Sequence, residues 1–398
     1  MARIAVLTAT LLLPGLALVA SVAAPEDYPR SSTAVPAITG APAALMEGLH
    51  KPPLGLPPVP VSPRNPPSAE KIALGRKLFF DRRLSFNRTL SCAMCHVPEQ
   101  GFTQHEVKTP VGIEGRFVRR NSPSLLNVAY RTVLFHDGRE HSLENQVWQP
   151  LLKDNEMANP SIGFVIDTIR AAEDYRGLFE AAFEQGLTME TIGMALATYQ
   201  RALVSGNSAF DRWYFAGDKD ALSASAQRGW AIFQRSGCVS CHTVAAEYGQ
   251  FTNDAFYDTG IGYARSMGAG GQPGSVRLAP GVTVTPTVEF DMPDANDLGR
   301  YEATGRSEDR WLYRTPTLRN VGITAPYMHD GSFPDLAAVV AYYNAGATPH
   351  EGLDPRIRPL ELGEQELSDL VSFLESLTGS NVEQLQRDAR AQPIGDAR

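Results

Sequence analysis

Two short stretches constrain this chain more than any other: "SCAMCH" at residues 91–96 and "SGCVSCH" at residues 236–242. Together they use all four cysteines, Cys92, Cys95, Cys238 and Cys241, and each pair is followed at once by a histidine, His96 or His242. Paired cysteines of this kind suit tight disulfides, a zinc site or haem attachment. A dithiol redox site would open a helix in a βαβ setting, and no such pattern surrounds either motif. Zinc ribbons also repeat Cys-x-x-Cys, but with about 15–20 residues between pairs; here Cys95 and Cys238 are separated by 142 residues. The adjacent histidine decides. Two thioethers hold the edge of a porphyrin and the next residue supplies the proximal iron ligand, which is the signature of a c-type haem. The sequence therefore predicts two covalent c-type haems and no disulfide.

The N-terminus reads as a signal peptide over residues 1–23, with an early arginine, an apolar run and small residues at Ser21, Ala23 and Ala24. A membrane anchor is the rival reading, but Pro14 and Gly15 break the run and no basic flank follows it. Residues 24–66, rich in Pro, Ala and Ser, read as an extended lead-in lying on a domain surface. The net charge of -8 argues against a nucleic-acid partner. An exported protein without stable membrane insertion follows, placed in the periplasm.

Helical periodicity precedes each haem motif, in "AEKIALGRKLFFD" and "SASAQRGWAIFQ". It recurs at "SLENQVWQPLLKD", "IGFVIDTIRAAEDYRGLFEAAFEQG", "METIGMALATYQRALVS" and "EQELSDLVSFLESLTG". Strand-like alternation is scarce, "VTVTPTVEF" being the best example. The expected fold is mainly α, with two cytochrome c-like haem domains and long loops. Their limits are residues 67–215 and 220–380, with a polar tail over 381–398. Residues 243–308 form a long, Gly-rich insertion.

From about Gly75 to Gly379 the chain resembles the bacterial dihaem cytochrome c peroxidases and their MauG-type relatives. The resemblance is carried by "GRKLFFDRRLS", "SCAMCH", "RRNSPSLLN", "DGREHSLENQVWQPLLKDNEM", "SGCVSCH", "LGRYEATG" and "TPTLRNVGITAPYMHDGSF". It implies a first haem that reacts with hydrogen peroxide and a second that transfers electrons, with His96 and His242 as proximal ligands. It also implies Glu156 as the proton shuttle, with Gln146 and Pro150 shaping the same pocket. Glu144 has the chemistry but not the matching position. The loop histidine that caps the first haem in many members falls at Ile113, which cannot bind iron; His105 is the alternative cap.

For the second haem the family position of the sixth ligand is Tyr343 in "VVAYYNAG", with Met328 and Tyr342 as competitors. A phenolate favours ferric iron, whereas a thioether raises the potential. The tryptophan that lies between the haems in the family is replaced by His136, leaving Trp148 and Trp230 as other relays or as packing residues. A calcium ion is implied at Asn121, Thr324 and Pro326, through oxygen donors. The resemblance leaves two enzymatic roles. One is a peroxidase fed by a small cytochrome or copper protein; the other is an oxidase that uses peroxide to modify residues of a partner protein. A non-catalytic electron carrier is the third reading.

Overall fold

The computed structural model describes residues 42–267, 276–279, 282–284 and 296–390. The segment read as a signal peptide and most of the Gly-rich part of the insertion lie outside the described residues. The described chain is mostly helical, with two small two-stranded sheets. Phe256–Tyr257 pairs antiparallel with Tyr313–Arg314, and Val276–Ala279 with Val282–Val284. The second pair covers the start of the expected strand; residues 285–290 lie outside the described residues.

Each haem motif is preceded by a 12-residue helix of the same design. Ala69–Phe80 is N-capped by Ser68, whose side chain accepts from the Lys71 N–H; Ala224–Arg235 is capped alike by Ser223 through Ala226. Burial follows the i, i+3, i+4, i+7 stripe of an amphipathic helix, Ile72, Gly75, Arg76 and Phe79 in one and Ala226, Gly229, Trp230 and Phe233 in the other. At the stripe's centre a glycine lets a second helix cross closely. A methyl at Gly75 would lie 2.0 Å from the Ala195 carbonyl oxygen of helix Met189–Arg201, and one at Gly229 the same distance from the Asp369 carbonyl of helix Glu364–Glu375. The phenylalanine one turn later reaches the haem motif. Phe79 lies 6.5 Å from the His96 ring and Phe233 lies 6.3 Å from that of His242.

Two apolar cores result. The first gathers Ile72, Leu78, Phe79, Phe102, Trp148, Leu196 and Tyr199. The second is aromatic, with Phe210 at 5.1–5.5 Å from Trp230, Phe251 and Phe373. Trp148 and Trp230 are thus core residues, 5% and 6% exposed.

Both flanking segments depart from expectation. The lead-in contains the helix Pro42–His50 and buries Leu45, Leu49, Leu56 and Val59 in the first core. The tail read as polar forms the helix Val382–Arg390, whose Val382, Leu385 and Ala389 enter that same first core. The second half therefore ends packed into the first. Apolar residues at helical spacing override the polar average of the tail.

The chain also repeats itself beyond the haem motifs. Residues 121–138 and 314–331 align at a constant offset of 193, sharing Pro123/Pro316, Leu125/Leu318, Asn127/Asn320, Val128/Val321 and a terminal His-Asp-Gly. Their backbones agree: left-handed Asn127 and Asn320 at φ 63° and 60°, then Phe135 and Met328 at 64° and 72°. The repeats grip each other reciprocally. The Asn121 N–H donates to the His329 carbonyl at 2.7 Å, and the Arg314 N–H donates to the His136 carbonyl at 2.8 Å. These are the same two positions with the halves exchanged.

Gly229→Ala tests the helix crossing, because two effects oppose. Helix propensity favours alanine by about 0.8–1 kcal/mol, whereas overpacking costs about 1–3 kcal/mol. With a carbonyl at 2.0 Å, overpacking wins, so denaturant unfolding of the holoprotein should show a lower midpoint. A raised midpoint would contradict the crossing.

Candidate dihaem site

Both Cys-x-x-Cys-His motifs open into one cavity of about 1150 Å³. This exceeds the 300–1,000 Å³ or so of a pocket built for one small ligand. Its wall includes Cys92, Cys95 and His96 at one end and Cys238, Cys241 and His242 at the other. All four cysteines are free thiols. Burial pushes Cys92 and Cys95 up to about 12 and Cys238 to about 11, so they sit as protonated thiols.

The two histidines are oriented alike. His96 Nδ1 lies 3.1 Å from the Phe102 carbonyl, and His242 Nδ1 lies 2.9 Å from that of Phe251. Both phenylalanines have positive φ, which turns the carbonyl back toward the ring. An Nδ1–H bound to a carbonyl fixes the tautomer and leaves Nε2 as the lone-pair donor. Burial lowers His96 to about 4 and lowers His242 as well, so both rings are neutral, as metal ligands must be. Thr103 and Thr252 fasten the same loops, their hydroxyls donating to the Ser122 and Thr315 carbonyls.

Glu156, Gln146 and Pro150 all line the end of the cavity that carries His96. The turn bearing Glu156 folds back onto helix Trp148–Leu152: Met157 N–H donates to the Pro150 carbonyl at 3.1 Å and Glu156 N–H to that of Lys153 at 3.0 Å. Burial raises the Glu156 carboxyl above its ordinary value, opposed by the Arg139 and Lys153 charges. Glu144 lies off the cavity wall. Against the upward pull of burial, Arg201 (2.6 and 2.9 Å) and the Asn65 amide hold it down at about 2.

Ile113 is 2% exposed and does not line the cavity, its N–H donating to the Glu156 carbonyl at 2.9 Å. His105 is exposed and off the wall, its Nε2 3.0 Å from the Ile323 carbonyl. Among the described residues, neither reaches the position of a cap.

At the other end, Tyr343 and Met328 both line the cavity. Burial foremost pushes the Tyr343 phenol up, and Tyr342, Cys238 and Cys241 are its nearest titratable neighbours. Tyr342 is committed elsewhere, its hydroxyl donating to the Thr259 carbonyl at 2.8 Å. Trp148 and Trp230 do not reach the wall. His136 does, with Nε2 3.0 Å from the Asn121 carbonyl. Asn121, Thr324 and Pro326, the calcium set, line the same cavity, between the two ends.

This arrangement fits two c-type haems: thiols in pairs, neutral imidazoles with Nε2 free, and a cavity large enough for both. His329 adds a further sign of fit. Its ring lines the cavity, stacked 3.6 Å from Tyr313, and Nε2 is buried with no hydrogen-bond partner among the described residues.

Comparison with known proteins agrees. A family model described as di-haem cytochrome c peroxidase matches residues 69–220. The methylamine utilization protein MauG of Methylorubrum extorquens is 37% identical over 322 residues, 80% of this chain and 81% of the relative. The chain belongs to the dihaem cytochrome c peroxidase family. Cytochrome-c peroxidase IdrP1 of Denitromonas iodatirespirans is also 37% identical, over 88% of this chain and 92% of the relative. The crystal structure of a MauG-like protein associated with microbial copper homeostasis superposes with a TM-score of 0.69 at 29% identity, covering 83% of this chain and 96% of that one. As a member of this dihaem family the protein is an oxidoreductase that carries two c-type haems and reacts with hydrogen peroxide.

The 121–138/314–331 repeat escaped the sequence reading. Its signal was available in the shared Pro-x-Leu-x-Asn-Val and His-Asp-Gly residues. Mature protein from a host that attaches c-type haem should show two covalent haems by intact mass and pyridine haemochrome, with no disulfide. A single haem, or one extracted by acidic organic solvent, would contradict the site.

Proposed function

We propose that the protein is a periplasmic peroxidase whose two haem sites divide the work, peroxide reacting at His96 and electrons passing through the His242 site. The observation that carries this reading is Glu156: an enclosed carboxyl with a raised pKa on the same wall as His96, Gln146 and Pro150. A haem held by Cys92, Cys95 and His96 would supply the redox chemistry for O–O cleavage. The chain's own contribution is a proton relay. The Glu156 carboxylate takes it from the inner peroxide oxygen and returns it to the outer one, which leaves as water. Overall, peroxide takes up two electrons and two protons and yields two waters. The electrons come from a small cytochrome or copper protein. Ile113, at the sequence position of the family's capping histidine and off the cavity wall, supports a first haem open in the oxidised protein.

The second reading, peroxide-driven modification of a partner protein, is favoured by Tyr343. A phenol pushed up by burial becomes a phenolate only beside a strong cation such as ferric iron, and that ligation would hold the second haem oxidised. The MauG relatives lend this reading support. Periplasmic export rests on the N-terminal sequence; no described helix is long and apolar enough to cross a membrane. The calcium reading rests on Asn121 and Thr324, neutral oxygen donors from opposite halves, which would need Pro326 and waters to complete a calcium shell.

Stopped-flow mixing of oxidised enzyme with peroxide tests the shuttle. General acid–base assistance contributes about 10²–10⁴-fold, so Glu156→Gln should slow the reaction by that order with resting spectra unchanged. The carboxylate is the working form, so the wild-type rate should fall on acidification through the raised Glu156 pKa. That limb should lie above the ordinary value of about 4.3, and Glu156→Gln should lack it. A variant as fast as wild type would move the shuttle elsewhere.

Electron paramagnetic resonance tests the ligand assignment. Oxidised protein should show a high-spin and a low-spin ferric signal together, and Tyr343→Phe should alter only the low-spin one. A surviving low-spin signal would direct attention to Met328.

A further inference from the structure

Three side chains meet where the two halves join, and their charges do not balance. Arg131 comes from the first half; Arg314 and Asp254 come from the second. Asp254 Oδ1 accepts from Arg131 at 3.3 Å and from Arg314 at 3.0 Å. The side chains are only 8%, 8% and 11% exposed, and among the described residues Asp254 is the one acidic group that bears on either guanidinium. Two buried cations thus share one anion. Asp254 is further occupied by Thr132, whose N–H and hydroxyl both donate to Oδ2. Arg314 also donates from Nε to the Phe135 carbonyl and from Nη1 to the Thr315 carbonyl. The Arg131 guanidinium makes no hydrogen bond but the long one to Asp254 among the described residues, and Arg131 lines the cavity.

A buried guanidinium with most of its donors unused is costly unless an anion completes it. The planar fork of arginine matches a carboxylate. A c-type haem held by two thioethers keeps two propionate carboxylates, and these are the anions that the cavity's occupants bring.

The position within the fold says which haem. His242 Nδ1 bonds to the Phe251 carbonyl, and the next residue, Thr252, donates its hydroxyl to the Thr315 carbonyl at 2.7 Å. That same hydroxyl accepts the Asp254 N–H at 3.0 Å. Arg314 directly precedes Thr315. The loop that aims the His242 ring and the loop that carries the spare charge are one hydrogen-bonded unit.

The internal repeat sharpens the point. At the offset of 193, Arg314 corresponds to Asn121 and Arg131 to Thr324. One junction of the two halves therefore presents a neutral amide and a hydroxyl, and the other presents two fixed cations in the same two positions.

We propose that Arg131 and Arg314, bridged by Asp254, form a carboxylate clamp for a propionate of the haem attached at Cys238 and Cys241, and that their surplus positive charge raises that haem's reduction potential. The clamp offsets the pull of an anionic axial ligand toward the oxidised state, and it ties the second haem to a residue of the first half. It depends only on haem binding and holds whichever residue supplies the sixth ligand.

The test is a spectroelectrochemical titration of the holoenzyme and three variants, with a crystal structure of the wild-type holoenzyme. Arg131→Gln should lower one of the two midpoint potentials and leave the other in place; Arg131→Lys should stay near wild type. Asp254→Asn removes the shared anion and should move the same potential upward. Opposite signs from the two neutralising changes distinguish charge from packing damage, and Asp254→Asn carries the test alone should Arg131→Gln not fold. In the crystal, a propionate oxygen of the Cys238/Cys241 haem should lie within hydrogen-bond distance of Arg131. Unmoved potentials, shifts of the same sign in both neutralising variants, or a guanidinium facing only solvent or the other haem would overturn the proposal.

Discussion

Two main-chain hydrogen bonds, Asn121 to His329 and Arg314 to His136, hold the molecule's functional geometry together. Each joins the start of one repeat to the His-Asp-Gly turn of the other, so the two halves meet at two reciprocal junctions. Without that exchange there would be two separate pockets, each with its own cysteines and imidazole. With it, one cavity spans both. The terminal helix Val382–Arg390 reinforces the arrangement from outside by burying its apolar stripe in the first core. Close helix crossings at Gly75 and Gly229 then fix Phe79 and Phe233 against the His96 and His242 rings.

On this near-symmetric frame the chemistry is made unequal by a few side chains. Burial acts on both ends alike, keeping imidazoles neutral and thiols protonated. What differs is the group placed opposite. The first end has Glu156, a carboxyl whose pKa is raised toward the range where it both takes and gives a proton. The second end has Tyr343, a potential anionic ligand, and the buried arginines beside Asp254. Even the paired histidines diverge: His136 bonds to the Asn121 carbonyl, while His329 stacks on Tyr313 with Nε2 unpartnered among the described residues. Division of labour between two haems needs such asymmetry, and here it lies in side chains.

The haem motifs were readable from sequence because thioether attachment demands a contiguous spacing. The helical cores were readable because burial imposes a period. Glu156, Gln146, Pro150 and Tyr343 needed the family resemblance, since nothing local marks a loop glutamate or a helical tyrosine as special; the structure brings all four to the cavity wall. The repeat at an offset of 193 was hidden by the insertion, because the haem motifs themselves recur at an offset of 146. The Arg131–Asp254–Arg314 cluster joins residues up to 183 positions apart, which only the fold can reveal. The lead-in and tail helices were missed where average composition was allowed to outweigh Leu45, Leu49, Val382, Leu385 and Ala389.

The central claim is that one cavity couples an open first haem to the second without prior activation. Rapid mixing of fully oxidised enzyme with one equivalent of peroxide tests it most directly, following the spectra of both haems. The structure, with neither Ile113 nor His105 on the cavity wall, predicts an immediate reaction in which both haem spectra change in one kinetic phase. An oxidised enzyme that stays inert until one electron is added, or a second haem that does not respond, would contradict it.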